Sequence, residues 1–239
     1  MAHETRNNSF TFPAEHGFPP FFTLQPNIQT AETQVEMWSR LVLAYCEHRS
    51  QFWLNAVGSW ERTSALFCNS TIDRALSPAM IRLILAHLVK QDHAIYHPPL
   101  PKGIKPPEYT SLLASRETRA QSSSSASRPA LSNEESACNQ VLVLWKSPEE
   151  WGDAVYAWVC DTGQNQSIMT LHEIMTGTFV ERSGMPPLLL RIALRTQVRK
   201  DRAQIFSVTT DRWSSLRGAG DLLAQATDES MLDLGVKFV

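Results

Sequence analysis

The chain has 239 residues, of which 43% are hydrophobic and 19% charged, and its formal net charge is −2. That length holds two small domains or one large one, with enough apolar material for packed cores. A charge this close to balance offers no basic excess for nucleic acid or an anionic membrane, and no apolar run approaches the roughly 18 residues of a membrane span.

The N-terminal MAHETRNNSF has neither the basic nor the apolar region of a secretory signal. Cys46, Cys68, Cys138 and Cys160 are far apart and form no C-x-x-C pair. Two of them fall within apolar helical patterns, where a free thiol behaves as a small hydrophobe. A reducing, cytosolic setting is therefore expected, rather than a disulfide framework.

The first unusual segment is FTFPAEHGFPPFFTLQPN, residues 10–27, with five phenylalanines and four prolines in 18 positions. No helical period buries these rings. Proline fixes φ and restricts the residue before it, so an extended arm is expected. Such an arm suits two uses. It is preorganised to dock into a partner's groove at reduced entropic cost, or it folds back onto its own domain. Burying Phe21 and Phe22 contributes roughly 1.5–3 kcal/mol each. Association costs several kcal/mol, so a docking arm needs a neighbouring domain surface to help.

After the arm, Trp38, Leu41, Val42 and Tyr45 form the stripe of a half-buried helix. Ser77-Pro78 opens a second helix, and Val89 to Tyr96 leads through polar residues into a short strand. Residues 98–138 are rich in Pro and Ser, without helical or strand period, and read as a disordered insertion. Within it, Pro106-Pro107-Glu108-Tyr109 matches a WW-domain ligand. A motif this short recurs by chance, so it is a weak signal. Gln140 to Trp145 reads as a returning strand.

The pattern then repeats. Ser147, Pro148 and Glu150 form the start of a helix, with Trp151, Val155 and Trp158 on one face and Gly163 at its end. Trp151 lies 113 residues (151 − 38) after Trp38, and the motif beginning at Val198 lies 109 (198 − 89) after that at Val89. A short strand at 167–169, a helix between Thr170 and Gly177 and a helix opened by Met185-Pro186-Pro187 come next. A strand near 203–206, an insertion at 211–233 in which 221–226 reads as a short helix, and a final strand at 234–239 complete the unit. Helix, strand, two helices and a strand pair is the order of a winged-helix domain. Two copies at nearly one spacing make coincidence a poor explanation.

Chemistry-bearing patterns are sparse. Arg191, Arg195 and Arg199 recur at helical spacing, with Lys200 and Arg202 nearby. That stripe suits a solvated face, an acidic partner or, as a winged-helix recognition helix, DNA. The corresponding helix of the first copy carries only Arg82, His87 and Lys90, which disfavours DNA. His93 and His97 fall on a turn and a strand and do not make a metal site. Glu149-Glu150 is explained by the helix N-terminus. There is no phosphate loop or nucleophile elbow, so no catalytic residue, metal or cofactor is assigned.

Phe18 to Asn27, Ser147 to Gly152, Gly163-Gln164-Asn165 and Gly235 to Phe238 together resemble the vacuolar protein sorting-associated protein 25 family of ESCRT-II subunits. The resemblance spans nearly the whole chain outside the two insertions. It implies an α+β, mainly helical chain with two tandem winged-helix domains and an extended N-terminal arm. The expected boundaries are 1–29 for the arm, 30–146 for the first domain and 147–239 for the second. It further implies a non-enzymatic, cytoplasmic subunit recruited to the endosomal membrane through its partners. Those partners would be the two larger ESCRT-II subunits, anchored by Phe18, Pro19, Pro20, Phe21 and Phe22, and the most upstream ESCRT-III subunit, met by the second domain. The process implied is sorting of ubiquitinated cargo into multivesicular bodies. An upstream copy of the proline motif, present in some members, is degenerate here as Pro13-Ala14-Glu15-His16. The alternative is a tandem winged-helix protein that binds nucleic acid.

Overall fold

The computed structural model describes residues 9–55, 64–101, 103, 105–109, 140–209, 212–215 and 234–239. The chain divides into two units, Met1–Trp145 and Lys146–Val239.

In the first unit, α1 (Ile28–Arg49) starts at Asn27, whose side chain accepts from the Thr30 amide at 3.1 Å, and stops at Ser50 in the left-handed region. β1 (Trp53–Asn55) follows, then a small hairpin of β2 (Cys68–Asn69) and β3 (Arg74–Ala75) that the sequence pattern does not announce. Ser77 caps α2 (Pro78–Lys90), and Pro78 sits in its first turn, where a missing N–H costs nothing. α2 buries Met80, Ile81, Leu83, Ile84, Leu85 and Leu88, so it is the unit's central helix. β4 (Ala94–His97) and β5 (Gln140–Val143) complete an antiparallel sheet of order β1-β5-β4. Leu142 of β5 lies opposite both Trp53 and Ile95.

The second unit opens with α3 (Pro148–Asp161) on a capping box: Ser147 Oγ accepts from the Glu150 amide at 3.2 Å, and Glu150 accepts from the Ser147 amide at 2.7 Å. β6 (Ile168–Thr170), α4 (Leu171–Met175), α5 (Thr178–Ser183) and α6 (Pro187–Arg199) follow, α4 with a second capping box from Thr170 and Glu173. β7 (Ala203–Thr209), β8 (Arg212–Ser215) and β9 (Leu234–Phe238) join β6 in a sheet of order β6-β9-β7-β8. α3 and α6 pack at Gly152, where a β-carbon would stand 2.8 Å from the Ala193 carbonyl and 2.5 Å from Gln197 Nε2. Only glycine permits that approach.

In both units the last strand lies between the first and the one that follows the last long helix. This is the winged-helix arrangement, and the repeat extends to single backbone positions. Ser50 (φ 50°) and Gly163 (φ 68°) end the first helices at the 113-residue offset (163 − 50) of the tryptophans. Asp92 (φ 59°) and Asp201 (φ 55°) turn the chain from helix to strand at the 109-residue offset (201 − 92). Aspartate tolerates this region because its short polar side chain bonds locally.

Three expectations are corrected. The arm is not extended: Ala14–Gly17 and Pro19–Phe22 are two 3-10 turns. Proline's fixed φ of about −65° lies within the 3-10 range, so Pro19 and Pro20 favour that turn as readily as extension. The insertion expected to be disordered from 98 onward is placed at residues 105–109, with Tyr109 packed against the first unit's core. The insertion expected from 211 contains a strand at 212–215, paired with β7. The short helix expected at 221–226 and the rest of both insertions lie outside the described residues.

Candidate functional site

The arm is held by one face of α1. Gln34 and Trp38, one turn apart, both present donors to it. Gln34 Nε2 donates to the carbonyls of Phe21 at 2.7 Å, Thr23 at 3.0 Å and Pro20 at 3.2 Å. Trp38 Nε1 donates to the Phe21 carbonyl at 2.9 Å. The buried Phe21 carbonyl depends on these two donors, and leaving such a group orphaned costs about 1–3 kcal/mol. The rings then fill the core. Phe21 stacks on Trp38 with centroids 4.4 Å apart and planes 8° apart, and Phe22 meets the same indole edge-on at 5.3 Å.

The preceding turn is fixed through His16. It is buried, its Nε2 lies 3.2 Å from the Leu66 carbonyl, and its own carbonyl accepts from Asn69 Nδ2 at 2.7 Å. Phe12 stacks on its ring at 4.1 Å, and Phe10 meets Tyr45 edge-on. Burial pushes the imidazole's pKa below its ordinary value, opposed by the Leu66 hydrogen bond. Thus the degenerate proline motif at 13–16 carries a core histidine here.

What remains outside is specific. Phe18 is 60% exposed, Pro19 and Pro20 are exposed, and Ile28 at the start of α1 is 52% exposed. Beside Phe18 opens a cavity of about 640 Å³, lined by Glu15, Pro20, Phe21, Gln34 and Met37 among others. Exposed apolar rings and prolines around an apolar cleft form a surface suited to another protein rather than to bond-making chemistry. Of the five expected anchor residues, Phe18, Pro19 and Pro20 can meet a partner directly. Phe21 and Phe22 hold the turn that presents them.

The basic stripe of α6 is distributed unevenly. Leu190 and Leu194 are buried, Arg191 and Arg195 half-buried, and Arg199 exposed. Lys200 and Arg202 close on Asp153 of α3 at 2.9 and 3.1 Å. Lys200 foremost, then Gln197, hold the Asp153 carboxyl below its usual range. Lys200 and Arg202 thus share one carboxylate within the unit, which offsets one of their two charges.

Of the WW-ligand residues, Pro106 is exposed, Pro107 half-buried, and Tyr109 donates its hydroxyl to the Gln25 carbonyl at 2.6 Å. Cys46 is buried, which pushes its thiol up to about 12 and leaves it unreactive. Among the described residues, no group of three metal-ligating side chains converges, and no helix is long and apolar enough to cross a membrane.

His16 was named only as part of the degenerate proline motif, and Gln34, Gln25 and Met37 were not singled out from the sequence. Only Gln34 leaves a trace there, as a polar residue one turn before Trp38 on an otherwise apolar stripe.

Residues 15–186 match the family model described as ESCRT-II complex subunit. The chain belongs to the ESCRT-II subunit family. Vacuolar protein-sorting-associated protein 25 of Danio rerio is 30% identical over 203 residues, covering 84% of this chain and 94% of the relative. The Homo sapiens protein of that name is 30% identical over 207 residues, with 85% and 96% covered. The Arabidopsis thaliana one is 28% identical over 204, with 84% and 91% covered. The crystal structure of subunit VPS25 of the endosomal trafficking complex ESCRT-II superposes with TM-score 0.58 at 19% identity, covering 95% of this chain and 99% of the other. A chain of the endosomal complex ESCRT-II (VPS22/VPS25/VPS36) gives 0.57 at 23% identity, with 85% and 98% covered. At these identities the structural likeness establishes the shared fold. The family match takes in the second turn of the arm and the helix that holds it, and it extends through the start of the second winged helix.

Proposed function

We propose that this chain is a non-catalytic ESCRT-II subunit that docks onto the two larger subunits of its complex through the arm and recruits ESCRT-III through its second winged helix. The observation that carries the reading is the pinned Phe21–Phe22 turn, which leaves Phe18, Pro19 and Pro20 standing beside an apolar cleft. A peptide ordered before binding loses little further entropy on docking. The solved complex of VPS22, VPS25 and VPS36, a chain of which shares this fold, supports the choice of partners. Arg191, Arg195 and Arg199 of α6 meet an acidic segment of the most upstream ESCRT-III subunit, and the assembly sorts ubiquitinated cargo into multivesicular bodies. The chain works in the cytoplasm and reaches the endosomal membrane through its partners.

The test is co-purification with the two larger subunits, comparing wild type with Phe18→Ala/Pro19→Ala/Pro20→Ala. These exposed positions weigh on docking far more than on folding, whereas Phe21→Ala would disturb both. Loss of the complex is expected with only a small fall of the thermal midpoint, since Pro19 and Pro20 also favour the turn by fixing φ. Retention by the triple variant would send the arm back to a purely structural role. DNA binding that weakens steeply with salt would favour the nucleic-acid alternative instead.

A further inference from the structure

The WW-type motif and the arm are joined by one hydrogen bond. Tyr109 Oη donates to the Gln25 carbonyl at 2.6 Å, and its ring packs against the first unit's core. The Gln25 side chain in turn donates to the carbonyls of Thr23 at 2.8 Å and Pro20 at 3.0 Å. Tyr109 is thereby tied through one residue to the turn that Gln34 and Trp38 also hold. Pro106 and Glu108 are exposed meanwhile, and the two prolines already fix φ in the range of a polyproline II ligand.

We infer that Pro106-Pro107-Glu108-Tyr109 is a docking motif for a WW-type domain, masked in cis by the seated arm. A WW groove that accepts a Pro-Pro-x-Tyr peptide must take the tyrosine side chain, so Tyr109 cannot serve Gln25 and such a domain together. The two states exclude each other. Linkage then makes the coupling reciprocal: a seated arm weakens WW binding, and a bound WW domain loosens the arm by the same factor. A motif that is competent only a fraction of the time shows an affinity reduced by that fraction. The inference does not depend on what the arm docks onto.

The test uses the full chain and a purified WW domain of the Pro-Pro-x-Tyr class, titrated calorimetrically. Gln25→Ala leaves the motif and the backbone acceptor in place and removes the two side-chain bonds that tie residue 25 to the Pro20–Thr23 turn. Wild type is expected to bind about tenfold more weakly than Gln25→Ala, and Tyr109→Ala to bind in neither background. Saturating WW domain should also speed hydrogen exchange of the Thr23 amide, which donates to the Pro20 carbonyl. Equal affinity for wild type and Gln25→Ala, with Thr23 exchange unchanged, would overturn the masking. Absence of binding by both, or binding that survives Tyr109→Ala, would overturn the motif itself.

Discussion

Trp38 holds Phe21 twice: its ring lies 4.4 Å from the phenyl ring, nearly parallel, and its N–H donates to the Phe21 carbonyl at 2.9 Å. One side chain thus fixes both the body and the backbone of the arm's central residue. Phe21→Ala empties a buried site in a core that includes Trp38 and Phe22, at a cost of about 3–5 kcal/mol. Phe18→Ala removes a ring already in solvent and should change stability by no more than about 0.5 kcal/mol. Denaturant midpoints of the two variants, followed by tryptophan fluorescence, check the contrast.

Gln34 is the second support. Its amide group serves three carbonyls, so Gln34→Leu removes one donor from each, while Phe21 keeps the Trp38 indole and Pro20 and Thr23 keep the Gln25 side chain. A loss of about 0.5–1.5 kcal/mol is expected, the net contribution of hydrogen bonding lost without an orphaned group. Gln34→Glu should cost more than Gln34→Leu, because it sets a carboxylate against the same three oxygens. Chemical denaturation at neutral pH ranks the pair.

Gly152 controls the second unit. A methyl group there meets the Ala193 carbonyl, which belongs to backbone and cannot swing aside. Gly152→Ala should therefore destabilise by about 1–3 kcal/mol through forced separation of the helices, despite alanine's better helix propensity. The thermal midpoint should fall. An unchanged or higher midpoint would mean that the helices adjust freely.

The fold should weaken with mild acid. His16 and His87 both have pKa values lowered from 6.5, burial being the largest cause in each. For His87, the nearby Glu36 and Glu32 oppose the shift and Lys90 adds to it. A depressed histidine contributes its full stability above the unfolded pKa. As pH falls through 6.5 the unfolded chain takes up protons that the folded chain refuses, and stability drops until the folded pKa is passed. The thermal midpoint should fall between about pH 7.5 and pH 5.5, and His16→Gln/His87→Gln should flatten that dependence.

The regular framework was legible because its signals are local. Ser77-Pro78, the Ser147–Glu150 box and the Thr170–Glu173 box each mark a helix start within a few residues, and the winged-helix order followed from them. The arm was not, because its conformation depends on partners distant in sequence. Proline allows both extension and a 3-10 turn, and the choice is made by Gln34 and Trp38, 13 and 17 residues from Phe21. The same holds for Lys200 and Arg202, which look like part of a basic face until Asp153, 47 and 49 residues away, is placed beside them. Tyr109 reaches back 84 residues to Gln25, and no window on the sequence spans that distance.

In both units the insertion read from the sequence falls between the strand after the last long helix and the strand that closes the sheet. Lengthening a loop whose ends are already pinned costs little, about 0.6 kcal/mol for each doubling. The second wing is therefore a port at which added peptide costs its own sheet little, whereas the first is tied to its core by Tyr109. A fluorescent protein or affinity epitope spliced after Ser215 would use such a port and leave the arm and first unit untouched.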